Sequence, residues 1–327
     1  MTNKRIVSGM RPTGKLHLGH FHGVLANWLE LQKEYECFFF AADWHSLTTE
    51  YADTAGIRES TREMVFDWLA FGIDPSKSTI FLQSQVPPHA ELTLVLSMIT
   101  PVSWLERNPT YKEMQENLQT KDLSTFGFLG YPVLMAADII IYKAGRVPVG
   151  HDQLPHLEIT REIARRFNYL YSEVFPEPVA LLTETPKVLG LDGRKMSKSY
   201  GNAIFLSESD EETRKKVLSM VTDTQRPRRS DPGEPDRCVA FSLNHLYLPE
   251  EKKVEIVSAC RNAQIGCVEC KKIQAECLVE ALAPFRAKRR ELAERPDVVD
   301  EVLAAGRRRA AEEAGKTMEE VLAALKF

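Results

Sequence analysis

Arg5-Ile6-Val7-Ser8-Gly9, followed closely by His17-Leu18-Gly19-His20, decides how this chain folds. The first run reads as a short buried strand. Gly19 opens an amphipathic helix through Leu25, Trp28, Leu29 and Leu31. Where a strand hands over to a helix, the helix offers unpaired N–H groups and a positive dipole end, a natural place for phosphate. Gly19 carries no side chain, so a flat adenine or a ribose could approach its backbone. His17 and His20 can donate hydrogen bonds to phosphate oxygens whose charge shifts during reaction.

Further along, the same strand–helix alternation continues. Cys37-Phe38-Phe39-Phe40-Ala41-Ala42 is a continuous apolar run ending in Asp43, which suits a buried parallel strand. Residues 54–71 have helical periodicity, broken by Gly72-Ile73-Asp74-Pro75. Thr79-Ile80-Phe81-Leu82 is the next strand and 91–99 the next helix. The fold class expected is α/β, a doubly wound parallel sheet, up to about residue 206. Ligands of such sheets bind beyond the carboxyl ends of the strands, where His17 to His20 and Asp43 to His45 would lie. Residues 101–168 are more helical and read as an insertion. From 207 to 327 the periodicity is all-helical, over 208–220, 250–261, 271–295 and 298–325.

Lys195-Met196-Ser197-Lys198-Ser199 lies downstream on a stretch bounded by Gly190, Gly193 and Gly201. Its two ammonium groups could clamp a departing pyrophosphate. Either motif alone is weak, because HxGH is more often a loop with two surface histidines and KMSKS a solvated basic turn. Together, in this order, they point to ATP. The pair resembles the two ATP motifs of the class I aminoacyl-tRNA synthetases. That resemblance implies a Rossmann-like catalytic domain over 1–206, a helical anticodon-binding domain over 207–327, and Mg2+ with the ATP.

Gly130-Tyr131-Pro132-Val133-Leu134-Met135-Ala136-Ala137-Asp138-Ile139-Ile140-Ile141-Tyr142 is the most specific segment. It reads as an apolar helix beginning at Pro132, a favoured first position. A carboxylate among so many aliphatic side chains is expensive unless something donates to it. Met135 and Asp138 are three apart and share a face. A thioether beside an acceptor suits an aromatic ring with one donor. A buried aspartate satisfied by a neighbouring backbone or arginine is an equal alternative on these residues alone.

The segment closely resembles the amino-acid-selecting helix of tryptophanyl-tRNA synthetases. That resemblance implies that Asp138 accepts the indole N–H, Met135 packs on the ring and Tyr131 meets the substrate's amino group. In tyrosyl enzymes a glutamine typically stands where Met135 does. Val147-Pro148-Val149-Gly150-His151-Asp152-Gln153 is similar to the family's strand-to-helix turn, which places Gly150 and Asp152 on the ATP ribose and Gln153 on the amino group. His45 would line the tryptophan pocket. Arg11, where some bacterial members carry glutamine, could hold the substrate carboxylate or a phosphate. Thr13 follows the family pattern beside it. His20, Lys195, Met196, Ser197 and Lys198 complete the implied ATP site.

The chain has 327 residues, 43% hydrophobic and 27% charged, with net charge −4. That allows two domains and excludes a globally basic surface, so nucleic acid would be met by local patches. Lys271 and Lys272, 286–290 and Arg307-Arg308-Arg309 are such patches, although a single run is usually a solvated helix face. Nothing resembles a signal peptide, and no apolar stretch approaches the ~18 residues of a membrane span. A cytoplasmic chain is expected. Cys238, Cys260, Cys267 and Cys270 follow the pattern C-x21-C-x6-C-x2-C. Zinc usually takes two CxxC knuckles and only one is present. The irregular spacing suits a [4Fe–4S] cluster, with Zn2+ as the alternative. It also resembles that of a subset of bacterial tryptophanyl enzymes with such a cluster. Lys271 and Lys272 follow the last cysteine, so its loop would present two charges to RNA.

The expected function is therefore tryptophan–tRNA ligase, with L-tryptophan, ATP and tRNA(Trp) as partners and a homodimer as the family's working form. Competing readings are a tyrosyl enzyme, a small-metabolite adenylyltransferase with the same first motif, and a non-catalytic sensor of tRNA or tryptophan.

Overall fold

A computed structural model describes residues 4–109, 111, 123–182 and 187–327; residues 112–122 of the expected insertion lie outside these. The chain packs as two units. The first comprises Met1–Gly14, Trp28–Glu184 and Arg295–Phe327, and the second Lys15–Asn27 and Thr185–Glu294.

The first unit is built on a five-stranded sheet in the order β3-β2-β1-β4-β5. Its strands are β1 (Arg5–Met10), β2 (Glu36–Ala41), β3 (Ser78–Leu82), β4 (Arg146–Val149) and β5 (Val179–Leu182). All neighbours are parallel. Alternation along β2 explains the double winding. Phe39 points to one face and stacks on Trp28 at 4.2 Å, while Phe38 points to the other and stacks on Tyr142 at 4.6 Å. Both faces are covered, so β2 is apolar throughout. The strand order reverses between β1 and β4, which makes that crevice the switch point for ligands.

Two sequence expectations change. The helix expected to start at Pro132 runs from Phe126 to Ile140, with Pro132 inside it. Thr125 caps it, its hydroxyl accepting from the Phe128 N–H at 3.2 Å. In addition, the stretch read as an insertion contains β4, which pairs with β1 and β5 inside the sheet. The final helix, Val298–Leu325, returns to the first unit and packs on β3. Ion pairs Arg5–Glu313 and Lys143–Glu320 join it to the sheet's surroundings.

The second unit is helical. Its main helices are Asp210–Ser219, Glu250–Arg261 and Cys267–Ala293. Ser209 and Glu212 form a reciprocal capping box at the first. The segment at Leu16 to Leu18 joins this unit through a short antiparallel pairing. The Leu18 N–H donates to the Ile204 carbonyl at 3.1 Å, and the Leu206 N–H to that of Leu16 at 3.0 Å.

Candidate active site

Tyr131, Met135 and Asp138 occupy one stripe of the helix Phe126–Ile140, at spacings of four and three, and Tyr142 continues it just past the helix end. Asp138 is 1% exposed. Three side chains donate to it. His45 Nε2 lies 2.8 Å from Oδ2, His89 Nδ1 2.6 Å from Oδ1, and Gln83 Nε2 2.8 and 2.9 Å from the two oxygens. A carboxylate can only accept, so each facing histidine nitrogen carries a proton. Burial pushes the Asp138 pKa up, but the hydrogen bonds and charges of His45 and His89 outweigh it and hold the carboxyl below its usual range.

The partners of Asp138 come from the carboxyl edge of the sheet. His45 stands on the helix Asp43–Glu50 that follows β2, and Gln83 on the turn that follows β3. His89 lies on the helix Pro88–Ser97. Sequence reading missed Gln83 and His89. The available signal was position, since Gln83 directly follows a strand whose carboxyl end borders the ligand crevice.

Tyr131 hydrogen bonds to His156 Nε2 at 2.5 Å. Burial pushes the Tyr131 hydroxyl up to about 12 and His156 down to about 4, so the tyrosine donates to a neutral imidazole. His156 was also missed; the helix Leu154–Leu170 places it one turn beyond Gln153. Gly150, Asp152 and Gln153 follow β4, with Gln153 Nε2 donating to Asp152 Oδ2 at 2.9 Å. Arg11, just beyond β1, donates through Nη2 to the Thr49 hydroxyl. Its Nε is buried with no hydrogen-bond partner among the described residues. Burial lowers its pKa, while Glu50 and Tyr131 act in the opposite sense. Thr13 is exposed, its N–H donating to the Arg11 carbonyl at 2.9 Å.

In the second unit the two ATP-type motifs face each other. A Cβ built on Gly19 would stand 2.9 Å from the His17 ring and 3.9 Å from the Met196 Cβ. A side chain at position 19 would therefore displace the His17 ring. His17 Nδ1 accepts from the Gly19 N–H, and His20 Nδ1 from the His17 N–H, each at 3.1 Å. With Nδ1 occupied as acceptor, each ring carries its proton on Nε2, free to be offered to a ligand. Burial, with Lys198 and Lys195 adding to it, lowers His17 to about 4. Burial, His17 and Lys198 lower His20 to about 3. Both rings are neutral donors at neutral pH.

Lys195 is exposed and Lys198 half-buried, with burial lowering Lys198 to about 8. Met196 is buried and anchors the loop, its N–H donating to the Val188 carbonyl at 3.0 Å. Asn202 Oδ1 accepts the Ser197 N–H at 2.8 Å. Asn202 Nδ2 donates to Asp192, chiefly responsible for lowering that carboxyl to about 2.

Cys238, Cys260, Cys267 and Cys270 are all half-buried and unbridged. The first three each act electrostatically on Cys270, which burial above all pushes up to about 12. Among the described residues, no three histidine, cysteine or acidic side chains are arranged to hold a single metal ion. Two buried groups nevertheless face these thiols. Arg226 Nη1 lies 3.8 Å from the sulfurs of both Cys260 and Cys267, and its other contacts are backbone carbonyls. Asn244 is fully buried beside Cys270, and its side chain hydrogen bonds to that sulfur, opposing part of the rise that burial causes.

Residues 2–283 match the family model described as class I tRNA synthetases (W and Y). The chain is 56% identical to the tryptophan–tRNA ligase of Thermotoga maritima, over 98% of each chain. It is 49% identical to that of Aquifex aeolicus, over 98% of this chain and 99% of the relative. Among solved structures it is similar to the tryptophanyl-tRNA synthetase of Campylobacter jejuni complexed with ADP and tryptophan. There the TM-score is 0.90 at 33% identity, over 99% of this chain and all of the other. The stripe around Asp138, the paired ATP motifs and these likenesses together make the chain a member of the tryptophanyl branch of the class I tRNA synthetases.

Proposed function

We propose that this chain is a tryptophan–tRNA ligase that activates L-tryptophan with Mg·ATP and passes it to tRNA(Trp). The carrying observation is Asp138, a buried, ionised carboxylate on the same helix face as Met135. A single-donor aromatic ring fits an acceptor-only group beside a polarisable thioether. In the activation step the tryptophan carboxylate attacks the α-phosphorus of ATP, the bond to the bridging oxygen breaks, and pyrophosphate leaves from the new tryptophanyl-adenylate. The amino acid's carbonyl then passes to a ribose hydroxyl of the tRNA terminus, and AMP leaves.

We assign the residues' parts by their match to the family's motifs. Asp138 accepts the indole N–H, Met135 and His45 line the ring, and Tyr131 and Gln153 hold the amino group. Arg11 and Thr13 are assigned to the substrate carboxylate or a phosphate. Gly150 and Asp152 take the ribose. His17 and His20 offer Nε2–H to the phosphates; Lys195 and Lys198, on the loop anchored by Met196 and Ser197, receive the pyrophosphate. Catalysis here is positioning and charge stabilisation. We assign it to residues up to about 206, and anticodon recognition to the helices after 207.

We further infer that Cys238, Cys260, Cys267 and Cys270 hold a [4Fe–4S] cluster. Only one CxxC pair is present, where zinc usually takes two, and the irregular spacing of the other two cysteines favours the cluster. The Arg226 guanidinium beside Cys260 and Cys267 and the buried Asn244 amide beside Cys270 supply a cation and a donor for a buried anionic group. When bound, such a group would brace the first turns of the helix Cys267–Ala293, which carries Lys271 and Lys272 in place of the loop expected from the sequence.

A homodimer is the proposed assembly. Leu94, Met98, Val102 and Phe126, all in the first unit, are each more than half exposed, and exposed large apolar side chains suit a second copy. Among the described residues no helix is long and apolar enough to cross a membrane, and the unbridged cysteines suit a reducing cytoplasm. Charging assays with tRNA(Trp) and tRNA(Tyr) transcripts test the overall reading. Charging of tRNA(Trp) with tryptophan alone supports it; tyrosine charging contradicts it.

A further inference from the structure

Behind Asp138 lies a chain of buried groups that the proposed chemistry does not use. His89 is 0% exposed, with Nδ1 2.6 Å from Asp138 Oδ1 and Nε2 2.7 Å from the Tyr142 hydroxyl. Tyr142 is also fully buried, its ring stacked on Phe38 and set edge-on to Phe81 at 5.6 Å. No water reaches either ring, so the direction of each hydrogen bond is fixed by the protein. Because Asp138 accepts, His89 carries its proton on Nδ1. The Tyr142 hydroxyl meets Nε2 at the far end of the same ring, so the imidazole is held at both nitrogens.

A carboxylate has about four acceptor sites. His89, Gln83 and His45 already address three or more of them. His45 is the only one of the three with appreciable exposure, its side chain 12% exposed. The open side of Asp138 is therefore the His45 side, and the carboxylate can serve only one further donor there. Burying an aspartate with two histidines is not an efficient way to stabilise a core, since an apolar replacement usually does as well. The arrangement makes sense if the orientation of Asp138 is what it secures.

We propose that Tyr142 and His89 are positioning residues for tryptophan recognition, a relay in which the Tyr142 hydroxyl holds the His89 ring in place and His89 fixes the Asp138 carboxylate toward the indole N–H. This rests on the reading of Asp138 as the indole acceptor. The relay acts only through that hydrogen bond. Disturbing it penalises ligands that bear the N–H and spares an isostere that lacks it.

The test compares L-tryptophan with L-3-benzothienylalanine, in which sulfur replaces the N–H. Dissociation constants and KM values are measured for the full chain and for Tyr142→Phe, His89→Leu and His89→Asn. The wild-type chain prefers tryptophan by about tenfold or more, as expected for a buried hydrogen bond to a charged acceptor. Tyr142→Phe and His89→Leu weaken tryptophan about tenfold, leave the benzothienyl ligand unchanged and leave the KM for ATP unchanged. His89→Asn, whose amide can place a donor near the Nδ1 position, recovers most of the preference. Equal weakening of both ligands, or none for tryptophan, overturns the relay while leaving Asp138 as acceptor. A wild-type chain that does not distinguish the two ligands overturns the relay together with the reading beneath it. If His89→Leu does not fold, Tyr142→Phe, which deletes one oxygen, decides the matter alone.

Discussion

His20 caps His17: the Nδ1 of the later histidine accepts the backbone N–H of the earlier one at 3.1 Å, with the two rings 3.8 Å apart. The HxGH spacing is thus a helix cap as well as a ligand site. His20→Ala should cost about 1 kcal/mol of stability through the lost cap. His20→Asn, whose Oδ1 can still accept, should cost less. Both should lower the rate of ATP–pyrophosphate exchange about 100-fold, because neither offers the Nε2–H. Urea unfolding and exchange rates on the two variants separate the effects.

The same two rings predict how acid acts. Both have folded-state pKa values lowered from 6.5, to about 4 and about 3. A group held neutral by the fold contributes its stability in full above the unfolded value and loses it as pH falls through the folded one. Stability should therefore decline between about pH 6.5 and pH 3, and His20→Asn should flatten part of that decline. Thermal unfolding across this range checks it.

Lys198 gives the alkaline limb. Burial lowers it to about 8, so the free enzyme loses this charge above that pH. Bound phosphate would restore the proton by opposing its charge. The value of kcat/KM for ATP should fall above about pH 8 while kcat stays flatter, since the first reports the free enzyme. Lys198→Arg should move the limb upward, arginine staying charged throughout. A limb unchanged in Lys198→Arg would assign it to another group.

Gly306 sits where the helix Val298–Leu325 crosses β3. A Cβ there would stand 1.8 Å from the Ile80 carbonyl oxygen. That atom belongs to a backbone already paired within the sheet and cannot move aside. Gly306→Ala should destabilise the chain by about 1–3 kcal/mol, the usual cost of overpacking. Denaturant unfolding measures it, with Gly315→Ala, which meets nothing within 4 Å, as the control.

For the cysteines, anaerobically prepared protein should carry iron and sulfide and absorb in the visible. Cys260→Ser should lose both, keep tryptophan-dependent exchange, and charge tRNA less well. Iron retained by Cys260→Ser, or zinc found in its place, would contradict the cluster.

Much of this was legible in the sequence because the signals were local. β1, β2 and the HxGH turn follow from apolar runs ending at glycine or aspartate, and the C-terminal helices from plain periodicity. Asp138 stood out as a charge in an aliphatic run. Its partners did not, because Gln83 and His89 reach it only through the sheet's topology, 55 and 49 residues away in the chain. The start of the helix at Phe126 was hidden by Pro132, a residue better known for beginning helices than for lying inside one. The return of Val298–Leu325 to β3 depends on Gly306, and a glycine inside a helix shows no such partner in sequence.

The most direct test of the central claim is ATP–pyrophosphate exchange with tryptophan and tyrosine measured in parallel on the full chain. The account predicts exchange with tryptophan alone, abolished by Asp138→Ala, which removes the acceptor. Exchange with tyrosine alone would contradict the role given to Met135 and Asp138.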